Sequence, residues 1–196
     1  TPPLGRKDIE TDIIEKSEEL IGQYIDREIN RGGQVLFIHN NIDTMDEEIN
    51  FIKKINDSYK IEKVHGRLKN KEIEMIMSNF INEKIDILVC TSIVESGLDM
   101  ANVNTIIINN AQNFGLSQLH QIRGRVGRSN KQAYAGLILC NSKIITLVSD
   151  LRINAFIKTN SLAGGLDIAG HDLDIRGAGE IPVSYTHLRA HETMVD

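Results

Sequence analysis

Gln34-Val35-Leu36-Phe37-Ile38 is an apolar run that stops at a polar corner, His39-Asn40-Asn41. A strand wetted on one side alternates polar and apolar residues; an unbroken run reads as a strand covered on both faces. The signature recurs outward along the chain. Lys60 to Val64 leads to His65-Gly66-Arg67, and Ile85 to Cys90 opens into the stretch Thr91 to Asp99. Thr105 to Ile108 and Tyr134 to Cys140 are two more strands, and Ile9 to Ile13 reads as a short one. Between them the period changes to that of a helix. Behind a Ser17 cap, Leu20, Ile21, Tyr24, Ile25 and Ile29 share one face, and Gly32-Gly33 stops the helix. Met45, Ile49, Ile52 and Ile55 mark a second helix, and Ile73, Ile76, Met77, Phe80 and Ile81 a third. Strands alternating with helices predict an α/β fold: a three-layer parallel sheet with helices on both faces. Ligands bind such sheets beyond the carboxyl ends of the strands. Three polar corners follow strands, so one functional edge is expected.

The 196 residues suffice for one core, or one core with an appendage. Hydrophobic content of 41% and charged content of 25% fit a globular domain. No apolar run is long enough to cross a bilayer and no signal peptide opens the chain, so no membrane partner is expected. The two cysteines, Cys90 and Cys140, each end an apolar run and read as buried free thiols in a reducing, cytoplasmic compartment. A net charge of -5 excludes a chain that is basic all over, while leaving room for a local basic strip.

Gln118 to Ser129 reads Q-L-H-Q-I-R-G-R-V-G-R-S, with the core Gln121-x-x-Gly124-Arg125-x-Gly127-Arg128. Arg125 and Arg128 are three residues apart, so on a helical turn or its frayed end they point the same way. Each guanidinium is permanently charged and presents a fork of donors suited to phosphate oxygens. An isolated Arg pair would line a solvated helix end or touch a nucleic-acid backbone. Gly124 and Gly127 have no purpose on a merely solvated face; they let backbone approach a ligand closely. Gly97 and Asp99, within Thr91 to Asp99, read either as a turn or as a nucleotide contact. His39 and His65 read either as satisfied strand-end residues or as contacts to a phosphate backbone. No phosphate-cradling G-x-x-x-x-G-K-[ST] and no D-E-x-H or D-E-x-Q box occurs in the sequence.

The arginine stretch resembles motif VI of superfamily 2 helicases and translocases, and Thr91 to Asp99 resembles their motif V. Val35 to Asn40 resembles motif IV, and His65-Gly66 the turn that follows it. This resemblance implies a RecA-like helicase C-terminal domain over residues 1–142. It implies catalytic roles for Arg125 and Arg128 toward ATP with Mg²⁺, which a first RecA-like domain elsewhere would hold. Gly97, Asp99, Gln121 and Gly124 would face the nucleotide; His39, Asn40, His65, Gly66, Thr91 and Ser92 would face double-stranded DNA. The stretch Leu166 to Glu180, G-L-D-I-A-G-H-D-L-D-I-R-G-A-G-E from Gly165 on, resembles a translocation motif shared by the transcription-repair coupling factors and the RecG family.

Lys143 to Lys158 has helical period again, with Ile144, Leu147, Leu151 and Phe156 or Ile157 inward. The resemblance implies that residues 143–181 form part of a helical hairpin and loop in which Arg152 and Arg176 couple nucleotide state to DNA; each reads equally as a helix cap or the partner of a neighbouring Asp. G-R-V-G-R-S-N-K-Q-A-Y-A resembles both families, and the opening T-P-P, V-C-T-S-I-V-E-S-G-L-D and N-V-N-T-I-I-I favour the coupling factors. That implies displacement of stalled RNA polymerase and recruitment of nucleotide-excision-repair proteins through other domains. The alternatives are a RecG-type fork-remodelling helicase and a non-catalytic module that binds an anion or a partner. Residues 182–196 continue no pattern and read as a non-native tail. There His187 and His191 lie four apart, a spacing metals can use, but no other ligand cluster supports a metal site.

Overall fold

A computed structural model describes residues 7–91, 100–139 and 147–159. Six parallel strands form one sheet: β1 (Glu10–Ile14), β2 (Gln34–Ile38), β3 (Ile61–Val64), β4 (Ile87–Cys90), β5 (Val103–Ile108) and β6 (Tyr134–Ile138), in the order β1-β6-β5-β2-β4-β3. The central strands β2, β4 and β5 are buried along their whole length, which is why their sequences do not alternate. Five helices connect and cover the sheet: α1 (Glu18–Asn30), α2 (Met45–Ile55), α3 (Asn70–Ile81), α4 (Leu116–Arg123) and α5 (Leu147–Lys158).

Two apolar layers sandwich the strands. One face packs Ile21, Tyr24 and Ile25 of α1 and Met45 and Ile52 of α2 against Val35, Phe37, Ile87 and Val89. The other packs α3, α4 and α5 through Met77, Phe80, Leu119, Ile122, Ile153 and Phe156 against Leu36, Ile38, Leu88 and Ile106. The side chains alternate between layers along β2, as a period of two requires. The expectation of a parallel sheet with helices on both faces is met. Ser17 caps α1 by accepting from Leu20 N at 3.1 Å.

Two inward assignments are corrected. Ile81 and Leu151 are exposed, and α5 turns Ile153 to the core together with Phe156, which was expected there. A twelve-residue apolar helix offers more than one candidate stripe, and docking on α4 selects among them. Of the two cysteines, Cys90 is buried and free, and burial pushes its thiol pKa up to about 12. Cys140, Ile144, the segment 166–180 and the tail 182–196 lie outside the described residues. Among the described residues no helix is long and apolar enough to cross a membrane.

Candidate functional site

The polar corners after β2, β3 and β4 meet at the carboxyl edge of the sheet. Asn40, Asn41, Ile42, Asp43, Gly66, Arg67 and Thr91 line a cleft of about 360 Å³ there. Asn40, Gly66 and Arg67 are exposed. Thr91 is buried, and its hydroxyl has no hydrogen-bond partner among the described residues. A buried hydroxyl without a partner costs stability unless something in the cleft accepts or donates to it. Arg67 donates from Nη1 to Asp43 Oδ1 at 3.0 Å, an exposed pair that competes poorly with a phosphate. His65 is half-buried; its Nδ1 accepts from Arg67 N at 3.2 Å, which shapes the turn that presents Gly66 and Arg67.

Of its two readings, His39 takes that of a satisfied strand-end residue. It is buried, with Nε2 2.6 Å from Thr44 Oγ1 and Nδ1 2.9 Å from Asn109 Nδ2. Both ring nitrogens are engaged, so the ring has no polar atom left to offer a backbone phosphate. It instead bridges the ends of β2 and β5 and anchors the turn that carries Asn40 and Asn41. Burial holds its pKa below the usual histidine value; Glu48 and Glu47 oppose that shift and Lys16 reinforces it.

The arginines occupy the opposite edge. α4 ends at Arg123, and Arg125 and Arg128 lie on the turn beyond it rather than on a helical face. Gly127 N donates to Val103 O at 3.3 Å, at the start of β5. Ser129 Oγ donates to Asn104 Oδ1 at 2.9 Å, at the same end. A strand of five or six residues at about 3.3 Å per residue puts this turn roughly 16–20 Å from the cleft. The polar corners thus share the single edge expected of them, while the arginine turn lies at the other end of the strands. A right-handed crossover returns each helix to the amino end of the next strand, which carries the segment after α4 away from the carboxyl edge.

Gly127 has φ +74°, a left-handed conformation that reverses the chain between the two arginines. Val126 is buried beneath the turn, Arg125 is half-buried and Arg128 is exposed. Arg128 donates from Nε and Nη2 to Gly124 O, both at a long 3.4 Å. Among the described residues no ion pair joins a carboxylate to either guanidinium, which leaves both available to an anion. Gln121 is exposed at the end of α4, one turn from Gly124. These residues fit the triphosphate of ATP. Among the described residues no cluster of three or more His, Cys, Asp and Glu could hold a metal ion.

Ser92, Gly97, Asp99 and Arg176 lie outside the described residues. Arg152 is half-buried on α5. The contact that docks α5 comes from a residue the sequence reading did not single out, Arg123. Its guanidinium is buried 3.9 Å from the Phe156 ring centroid. Nη1 donates to Phe156 O and Nη2 to Thr159 O, both at 3.2 Å, and Nη1 also donates to Thr11 Oγ1 at 3.1 Å. Burial lowers its pKa to about 10. Leu116, Leu119 and Ile122 form the buried stripe of α4, and Arg123, four residues from Leu119, continues it; that spacing was a usable signal.

Residues 14–130, more than half of the chain, match the family described as Helicase conserved C-terminal domain. A transcription-repair-coupling factor of Buchnera aphidicola subsp. Baizongia pistaciae is 45% identical over 181 residues, covering 92% of this chain and 26% of that protein. That of Escherichia coli is 40% identical over 181 residues, covering 92% of this chain and 16% of its own length. The chain therefore spans about a quarter or less of these curated relatives. Among solved structures, RecG bound to a three-way DNA junction superposes with a TM-score of 0.75 at 31% identity, covering 95% of this chain and 25% of that one. The C-terminal domain of the DEAD-box protein Dbp5 shares the fold, with a TM-score of 0.53 at 15% identity over 79% of this chain and 86% of that one. The chain belongs to the helicase conserved C-terminal domain family.

Proposed function

We propose that this chain is the second motor lobe of an ATP-dependent double-stranded DNA translocase of the transcription-repair-coupling type. Arg125 and Arg128 would face a triphosphate gripped by a first RecA-like lobe. When bound there, ATP with Mg²⁺ supplies a phosphoanhydride whose cleavage builds negative charge. The exposed, acid-free Arg128 guanidinium is the observation that carries the proposal, because a fixed cation is worth most where charge develops. Asn40, Gly66, Arg67 and Thr91 would hold a backbone phosphate in the cleft on the other edge. A rigid sheet joins the two edges, so closing the lobes on nucleotide would shift the grip on DNA. Arg123 would carry the same motion to α5. In the cytoplasm, such movement would displace stalled RNA polymerase, with nucleotide-excision-repair proteins recruited through other domains.

A fork-remodelling role of the RecG kind is the second reading. It rests on the superposition with RecG, and the higher identity to coupling factors weighs against it. The test is DNA-stimulated ATP turnover in the full-length protein carrying this chain. Arg128→Ala should cut turnover roughly a thousandfold while nucleotide binding persists. The 196-residue chain alone, which lacks a phosphate-cradling loop, should show no turnover. Full turnover in Arg125→Ala and Arg128→Ala would instead mark a non-catalytic module that binds an anion or a partner.

A further inference from the structure

The return limb of the arginine turn is fastened to the end of α1, and Arg31 is the hub. Arg31 Nη2 donates to Gln132 O at 2.7 Å and to Glu28 Oε1 at 2.5 Å. The carbonyl of Arg31 accepts from Lys131 Nζ at 3.2 Å. Glu28 has no exposed surface, and its Oε1 also accepts from Thr105 Oγ1 of β5 at 2.6 Å. Three pieces of the chain, α1, β5 and the limb after Arg128, thus converge on one carboxylate.

Two features separate this cluster from ordinary packing. Glu28 Oε2 is buried without a hydrogen-bond partner among the described residues, and Arg31 Nε is in the same condition. A buried ion pair with unsatisfied atoms is a poor source of stability; apolar residues of similar volume commonly do as well or better. What such a pair provides is a fixed geometry, because a guanidinium bridging a carboxylate and a carbonyl tolerates few arrangements. Among the described residues Arg128, by contrast, is held by long contacts to Gly124 O alone. Its direction is therefore set by the fastenings that flank it: the Gly127 N bond to Val103 O before it, and the Ser129 bond to Asn104 Oδ1 and the Arg31 bond to Gln132 O after it.

We infer that Glu28 and Arg31 are positioning residues that set where Arg128 points and so tune nucleotide turnover without touching nucleotide. This rests on the proposed role of Arg128 toward a triphosphate. The experiment measures DNA-stimulated ATP turnover and melting temperature in the full-length protein for Arg31→Met, Arg31→Lys, Glu28→Gln, Arg128→Ala and the Arg31→Met/Arg128→Ala pair. Arg31→Met should lower kcat roughly tenfold or more, with KM for ATP little changed, because small misplacements of a catalytic group are costly. Arg31→Lys keeps the charge but lacks the fork, so it should stay low. In the pair, Arg31→Met should add nothing to Arg128→Ala, since both act through one guanidinium.

A kcat loss that multiplies in the pair, or an unchanged kcat in Arg31→Met, overturns the clamp while leaving the role of Arg128 standing. Undiminished turnover in Arg128→Ala overturns that role, and the clamp with it. Should Arg31→Met fail to fold, Glu28→Gln, which keeps the side chain's size, carries the same expectation and is paired with Arg128→Ala in the same way.

Discussion

Replacing Gly127 by alanine places a methyl group where the turn has no room. A Cβ there would lie 2.9 Å from Ala133 Cβ and 3.3 Å from Ile9 Cγ1, and φ is +74°. Forcing a left-handed conformation on a residue with a Cβ costs about 1–2 kcal/mol. Crowding a packed site adds about 1–3 kcal/mol, and Ala133, as a short side chain at the start of β6, cannot swing away. Together these give about 3 kcal/mol, which for a chain of this length lowers the melting temperature by roughly 9 °C. Gly32 provides the internal control. Its φ is +85°, but nothing lies within 4 Å of an added Cβ. Gly32→Ala should therefore incur only the conformational cost, a drop of roughly 3–6 °C. Calorimetry of both variants separates the two contributions. A Gly127→Ala shift no larger than that of Gly32→Ala would refute the reasoning that the arginine turn is packed against β1 and β6.

Two further outcomes follow from buried groups. His39 and His120 are both held below the usual histidine pKa by burial, with Arg123 adding to the effect at His120. The unfolded chain then binds more protons than the native one below about pH 6.5, so stability is full above that value and falls as pH drops. Each histidine contributes up to about 1.4 kcal/mol per pH unit, and His39→Gln should flatten the acid limb of a stability–pH curve; an unchanged slope would show that His39 is not held neutral. Arg123→Met removes the bonds to Phe156 O, Thr159 O and Thr11 Oγ1 while keeping most of the stem's volume. Amide hydrogens of Ile153 to Thr159 should exchange roughly ten- to hundredfold faster, equivalent to about 1–3 kcal/mol, with those of β2 and β5 unchanged. Unaltered exchange in α5 would show that Arg123 does not dock it.

The sheet was legible because β2, β4 and β5 are buried on both faces and their apolar runs announce it. The cleft was legible in part: Asn40, Gly66 and Thr91 each stand just past a strand, and all three line it. Which edge the arginines occupy was not. That depends on where α4 ends, and the local period around Arg123 to Arg128 does not mark the left-handed reversal at Gly127. His39 shows a different limit. A histidine after a strand looks the same in sequence whether its ring meets a ligand or a neighbouring strand, and here Asn109, seventy residues away, decides. Glu28 and Arg31 read as an ordinary helix end; only pairing with Thr105 and Gln132 reveals the clamp.

The sheet is closed by strands from far apart in the chain: Glu10 of β1 lies beside Tyr134 of β6. During synthesis β1 emerges among the first elements and finds no hydrogen-bonding neighbour until β6 follows. At about 5–20 residues per second, the gap of roughly 120 residues is a wait of about 6–25 s. β5 is made only near the end of that interval, and until β6 pairs with it its edge offers unpaired N–H and C=O groups to foreign strands. Folding of this lobe is thus paced by the ribosome, and the residues that complete its first strand are among the last of the sheet to be made.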